Sequence, residues 1–200
     1  MIFTPTAPGQ STLSSPAGNT ADVTPLYTWS AVPGATWYYL WVTGSSSTVI
    51  TQFYPASAVC SGSTCSVEQP TPLSSGTYNW WIQTYGEVGY GPWSSGLSFT
   101  TVAPGPAVLS SPTGSIMTNN PSYTWSAVPG ATWYYLLVEG PSGTVTQKWY
   151  AASEANCNGT TCSVANATTG LAAGTYSWWI QTYNSIGYGA WSSEMIFTTP

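Results

Sequence analysis

Apolar and polar residues alternate with a period of two along short stretches of this chain, and turn-forming clusters separate the stretches. Tyr27-Thr-Trp29 carries the pattern and Val32-Pro-Gly34 breaks it. Residues 37–42 resume it until Gly44 and three serines, and residues 48–54 lead into a cysteine-bearing loop. After Leu73-Ser-Ser-Gly76, residues 77–85 form the longest stretch, followed by a turn with Gly86, Gly89 and Gly91. Residues 97–101 close the series. No stretch sustains a 3.6-residue period between helix caps. The pattern predicts an all-β chain of short strands at spacings typical of sandwiches.

The whole pattern occurs twice. WSAVPGATWYYL from Trp29 to Leu40 returns unchanged from Trp125 to Leu136, and Leu13-Ser-Ser-Pro returns as Leu109-Ser-Ser-Pro, each 96 residues on. The offset is 97 at Cys60/Cys157 and 98 at Tyr78/Tyr176, so two one-residue insertions fall near the cysteines, where a loop absorbs them. Repetition at this scale predicts tandem domains, residues 7–101 and 102–200. The seam Val102-Ala-Pro-Gly-Pro-Ala107 reads as a short Pro-rich linker that favours extended backbone and a stiff, elongated arrangement. Met195-Ile-Phe-Thr198 closes the second copy and Met1-Ile-Phe-Thr4 opens the chain. Residues 1–6 therefore read as the closing strand of a preceding repeat, in a chain excerpted from a longer array, or as a spare terminal strand able to pair with a neighbouring molecule's sheet edge.

Composition sharpens this picture. Charged residues make up 4% of the chain, yet 42% hydrophobic and 15% aromatic content argues against disorder. The net charge is −5 with one basic residue, Lys148. Nucleic acid is excluded as a partner, because a phosphate backbone needs several Lys or Arg to displace its counterions. No apolar run approaches the roughly 20 residues that span a bilayer, so membrane insertion is not expected. The cysteines form two short pairs, Cys60/Cys65 and Cys157/Cys162. Two thiols in a chain without His cannot complete a tetrahedral metal shell, so each pair reads as a loop disulfide formed in an oxidising compartment.

Within each copy, Trp29, the Tyr38-x-Leu40-x-Val42 stretch, Leu73 before Gly76-Thr-Tyr78, Tyr78-x-Trp80-x-Ile82, Gly89-Tyr-Gly91 with Ser94, and Phe99-Thr-Thr101 resemble the fibronectin type III family. The matching positions in the second copy are Trp125, Tyr134, Leu136, Val138, Leu171, Tyr176, Trp178, Ile180, Gly187, Ser192 and Phe197. The resemblance implies two tandem seven-stranded Ig-like sandwiches, each with sheets of three and four strands, and tyrosine corners at Tyr78 and Tyr176. The cysteine loop, the scarcity of charge and the excess of aromatics depart from the family, and no Arg-Gly-Asp triplet is present.

If Tyr38, Leu40 and Val42 point inward, as the resemblance implies, Trp37, Tyr39 and Trp41 point outward. Tyr78, Trp80, Ile82 and Thr84 likewise face the core, leaving Asn79, Trp81, Gln83 and Tyr85 outside. The candidate contact face is thus Trp37, Tyr39, Trp41, Trp81 and Tyr85, with Trp133, Tyr135, Trp179 and Tyr183 (and Leu137) in the second copy; Phe53 and Trp149 extend it. Such rings can simply pair across strands, but a contiguous apolar patch this large more often marks an interaction site.

Catalytic machinery is not expected. Without His, the Ser/His/Asp and Cys/His nucleophile systems are missing. Asp22, Glu68, Glu87, Glu139, Glu154 and Glu194 do not recur at matching repeat positions, as a paired-acid cleft in both copies would require. No phosphate-cradling loop or acidic calcium loop occurs, so no cofactor or metal is expected. Asn158-Gly-Thr160 and Asn166-Ala-Thr168 match the N-glycosylation triplet. The expected role is a structural repeat of an extracellular or cell-surface protein, stalk, adhesin or fibre, whose partners are further copies of itself. The alternative is a polysaccharide-binding module, with Gln83 and Asn79 beside the rings to hydrogen-bond sugar hydroxyls.

Overall fold

Alternating burial is what turns these patterns into sheets. The computed structural model describes residues 6–45 and 47–200, which divide into two compact units between Val102 and Ala103. The strand read over residues 1–6 falls on residues 1–5, which lie outside the described residues. The first unit contains β1 (Leu13–Ser15), β2 (Gly18–Thr20), β3 (Leu26–Ser30), β4 (Trp37–Thr43), β5 (Thr48–Pro55), a helical turn α1 (Ala56–Val59), β6 (Cys60–Ser61), β7 (Thr64–Glu68), β8 (Gly76–Gly86), β9 (Gly89–Trp93) and β10 (Leu97–Thr101). The second repeats it as β11 (Leu109–Ser111), β12 (Gly114–Ser115), β13 (Tyr123–Ser126), β14 (Trp133–Gly140), β15 (Gly143–Ala151), β16 (Thr161–Val164), β17 (Gly174–Asn184), β18 (Gly187–Trp191) and β19 (Met195–Thr199).

One sheet of the first unit runs β1-β3-β7-β6; the other runs β2-β10-β8-β4-β5, with β9 also on β8. The second unit has β11-β13-β16 against β12-β19-β17-β14-β15, with β18 on β17. This is the two-sheet sandwich that the fibronectin type III resemblance implies. The strand count exceeds seven for a physical reason. The first strand crosses between sheets: β1 pairs antiparallel with β3, and β2 pairs parallel with β10. The crossing holds the cis Ser15–Pro16 bond and Gly18 at φ +65°, a conformation that glycine adopts without steric cost. The last strand is split likewise, into β9 and β10, both on β8.

The interleaved inward residues form each core. Tyr38, Leu40, Val42, Trp80 and Ile82 are fully buried with Tyr27, Trp29 and Phe99, and the second unit buries the equivalent set. Trp80 Nε1 donates to the Pro16 carbonyl at 3.0 Å, tying the long strand to the crossing, and Trp178 does the same to Pro112 at 3.0 Å. The tyrosine corners are present: Tyr78 donates its hydroxyl to Ser74 O, and Tyr176 to Ala172 O, both at 2.9 Å.

Two local expectations change. Residues 89–93 form β9 rather than a turn, because β8 continues into a hairpin that pairs Tyr85 with Tyr90 and Gln83 with Trp93. Gly91 serves packing there, since a Cβ would lie 2.2 Å from Pro8 O. The cysteine region is not all loop: Thr64–Glu68 pairs along its full length with β3. At the seam, Val102 N donates to Thr20 O at 2.8 Å within the first unit, while in the second Pro104 is buried and Gly105 O accepts from Thr182 at 2.8 Å.

Candidate contact face

β5, β4, β8 and β9 lie side by side, so their outward residues form rows across the sheet. Register places Phe53, Tyr39, Gln83 and Trp93 in one row. A second holds Pro55, Trp37, Tyr85 and Tyr90, and a third Thr51, Trp41 and Trp81. The nine face residues expected from the sequence all occupy outward positions: Trp37, Trp133 and Tyr85 are exposed, whereas Tyr39, Trp41, Trp81, Tyr135, Trp179 and Tyr183 are half-buried. In the first unit neighbouring rings cover them in part. Tyr39 stacks on Phe53 at 4.4 Å and meets Trp93 at 5.7 Å, while Trp41 meets Trp81 at 5.3 Å and Trp93 at 5.6 Å. Ring pairs of this kind contribute about 0.5–1.5 kcal/mol each beyond their area.

In the second unit Tyr135 contacts Trp149 at 4.9 Å and Trp191 at 5.8 Å. Leu137 stands where the first unit has Trp41, so Trp179 lacks the ring facing it that Trp81 has. Phe53 and Trp149 extend the face, as the alternation predicts. Tyr90, Trp93, Tyr188 and Trp191 were not expected on it. The duplicated Gly-Tyr-Gly-x-Trp of residues 89–93 and 187–191 marks the strand, but period two alone puts its Tyr and Trp on opposite sides; a register shift in each hairpin brings both to the outer face.

One corner of each face is concave. Trp37, Phe53, Tyr85 and Tyr90 line a cup of about 260 Å³, and Trp133, Trp149, Tyr183 and Tyr188 line another of about 260 Å³. Tyr90 and Tyr188 are the most open, 57% and 65% exposed. The amides beside the rings are engaged: Gln83 donates to Gly91 O at 3.1 Å, Gln181 to Gly189 O at 3.2 Å, and Asn79 accepts from the Ser98 hydroxyl. No charged side chain stands in the three rows of either unit; Glu139 lies beyond them.

The disulfides Cys60–Cys65 and Cys157–Cys162 are both formed. Cys60 faces Cys65 in the β6–β7 ladder, so the first bridge closes the end of the sheet opposite the aromatic face. All six carboxylates are exposed, and the described residues hold no metal-binding cluster of three or more His, Cys, Asp or Glu. The perturbed phenols all face inward. Burial pushes Tyr123 up to about 12, with Thr168 as hydrogen-bond partner acting against it, and burial also raises Tyr27, Tyr54, Tyr134 and Tyr150.

No protein-family model and no curated protein matches the chain. Among solved structures, it is similar to the FN1-FN3 domains of chicken CNTN1, at 15% identity and TM-score 0.37 over 97% of this chain and 64% of that one. It is also similar to a two-domain fibronectin type III segment of chicken tenascin, at 14% identity and TM-score 0.39 over 97% of this chain and 100% of that one. The chain thus spans somewhat less than two thirds of the first of these structures.

Proposed function

We propose that this chain is a non-catalytic structural repeat of an extracellular surface protein, stalk, adhesin or fibre, whose aromatic sheet face packs against further copies. The observation that carries this reading is the recurrence, in both units, of the same uncharged ringed face on β5-β4-β8-β9 and β15-β14-β17-β18. An uncharged face brings no like-charge repulsion when two copies meet, and its exposed rings supply apolar area to bury. The two cystines support an oxidising, extracellular setting.

Sedimentation velocity across a concentration series tests the packing. Wild-type chain shows concentration-dependent assembly, and Trp37→Ser with Trp133→Ser abolishes it while circular dichroism is unchanged. A chain that sediments as a monomer at every concentration overturns the reading. A polysaccharide is the second reading, favoured by the continuous ring run Phe53–Tyr39–Trp93–Trp41–Trp81. Retention on insoluble glycans that is lost in Trp81→Ala would establish it.

A further inference from the structure

The two cups differ from the rest of the face in shape, and their chemistry is selective. In the second unit no side chain other than Trp133, Trp149, Tyr183 and Tyr188 lines the cup. The planes of Trp149 and Tyr183 stand at 71°, those of Trp149 and Tyr188 at 44°, with centroids 6.0 and 5.9 Å apart. The walls of the hollow are thus aromatic throughout, and an aromatic face carries the negative lobe of its quadrupole.

The surroundings do not oppose that potential. The chain carries six carboxylates against one basic residue. That residue, Lys148, does not compete for the cup: alternation directs it to the opposite side of β15 from Trp149, where its ammonium sits 4.8 Å from the Tyr150 ring centroid. The nearest amide in the ring row, Gln181, is bound to Gly189 O, which leaves the Tyr183 and Tyr188 hydroxyls as polar side-chain groups of the cup lining. A compact cation with a methylated, weakly hydrated surface satisfies both the apolar walls and the negative ring faces.

We infer that each cup binds the quaternary ammonium group of a small solute through cation–π contact. The site uses a corner of the face assigned above to packing, but it is a separate property of that corner. Phe53 occupies the position of Trp149 in the first cup, and Trp is the stronger cation–π partner, so the second cup binds more tightly. Four ring contacts correspond to a dissociation constant of about 1 mM for the second cup.

The test is calorimetric titration of the full chain with tetramethylammonium chloride, at constant ionic strength and at a concentration where sedimentation shows single chains. Binding at two sites is expected, with 3,3-dimethylbutanol, the neutral isostere of choline, binding at least about fivefold more weakly than choline. Tyr188 is 65% exposed, so Tyr188→Leu keeps an apolar wall without threatening the fold. That variant weakens the second site about fivefold, and because the titration is read on single chains, this loss is measured apart from any effect on packing. Phe53→Trp tightens the first site toward the second. Equal affinity for cation and isostere, or no heat from the cation, overturns the inference whatever sedimentation shows.

Discussion

Each unit buries two tryptophans completely, and a matched substitution separates what they do. Trp80 and Trp29 are both 0% exposed, and each has a tyrosine ring beside it, Tyr27 at 5.1 Å and Tyr38 at 5.6 Å. They differ at one atom. Trp80 Nε1 donates to Pro16 O, whereas Trp29 Nε1 has no hydrogen-bond partner among the described residues. Replacing either indole by phenyl removes a similar volume, costing about 2 kcal/mol. In Trp80→Phe the Pro16 carbonyl also loses its donor in a buried setting, adding about 2 kcal/mol. In Trp29→Phe an unpaired buried N–H disappears, returning about 2 kcal/mol. The expected losses are therefore about 4 kcal/mol for Trp80→Phe and about zero for Trp29→Phe. Trp178→Phe and Trp125→Phe repeat the experiment in the second unit, with Trp178 bound to Pro112 and Trp125 unpartnered. Hydrogen exchange read by mass spectrometry in a urea series reports each unit separately, the untouched unit serving as reference. Equal destabilisation by the two members of a pair would refute the reasoning, because the cost would then be packing alone.

Three further outcomes follow from the same contacts. Replacing Cys60 and Cys65 together by Ala lowers the stability of the first unit by about 2 kcal/mol in urea, as expected for opening so small a ring, and leaves ring contacts on the aromatic face unchanged by NMR. Gly91→Ala drives a Cβ to 2.2 Å from Pro8 O and 2.1 Å from Thr84 Oγ1, and Gly189→Ala repeats this against Pro104 and Thr182; each costs about 1–3 kcal/mol, with exchange rising first in residues 8–11 or 104–107. Wild-type stability at one exchange site after another would falsify that packing role. Alkaline titration should show stability fully present below the ordinary phenol value of 10.0 and lost as pH rises through about 12, because burial raises Tyr123 and ionisation favours the unfolded chain. Phenolate absorbance followed alongside circular dichroism checks it, and Tyr123 ionising near 10 in a folded chain would contradict it.

The strands of the long hairpins were legible because their inward residues are large, apolar and spaced by two: Tyr38, Leu40 and Val42 on one, Tyr78, Trp80 and Ile82 on the next. The short strands were not. Leu13–Ser15 and Gly18–Thr20 have three residues each and no alternation to read, and they are strands because β3 and β10 offer them open edges. Thr64–Glu68 was hidden by the cysteines within and beside it, which mark a loop by type but sit here in a ladder.

What the sequence determined by itself was the duplication, the all-β class, both cystine pairs and which rings within β4, β8, β14 and β17 share one side of the sheet, since repetition, period two and thiol spacing are properties of the chain alone. Tertiary structure decided which rings meet. Tyr90 and Trp93 join Tyr85 and Tyr39 only because β9 folds back on β8 in one register, and a cup forms only where four strands bring rings from residues 37, 53, 85 and 90 to one corner. Contacts between residues so far apart along the chain depend on register, and register is set by the packing of both sheets at once.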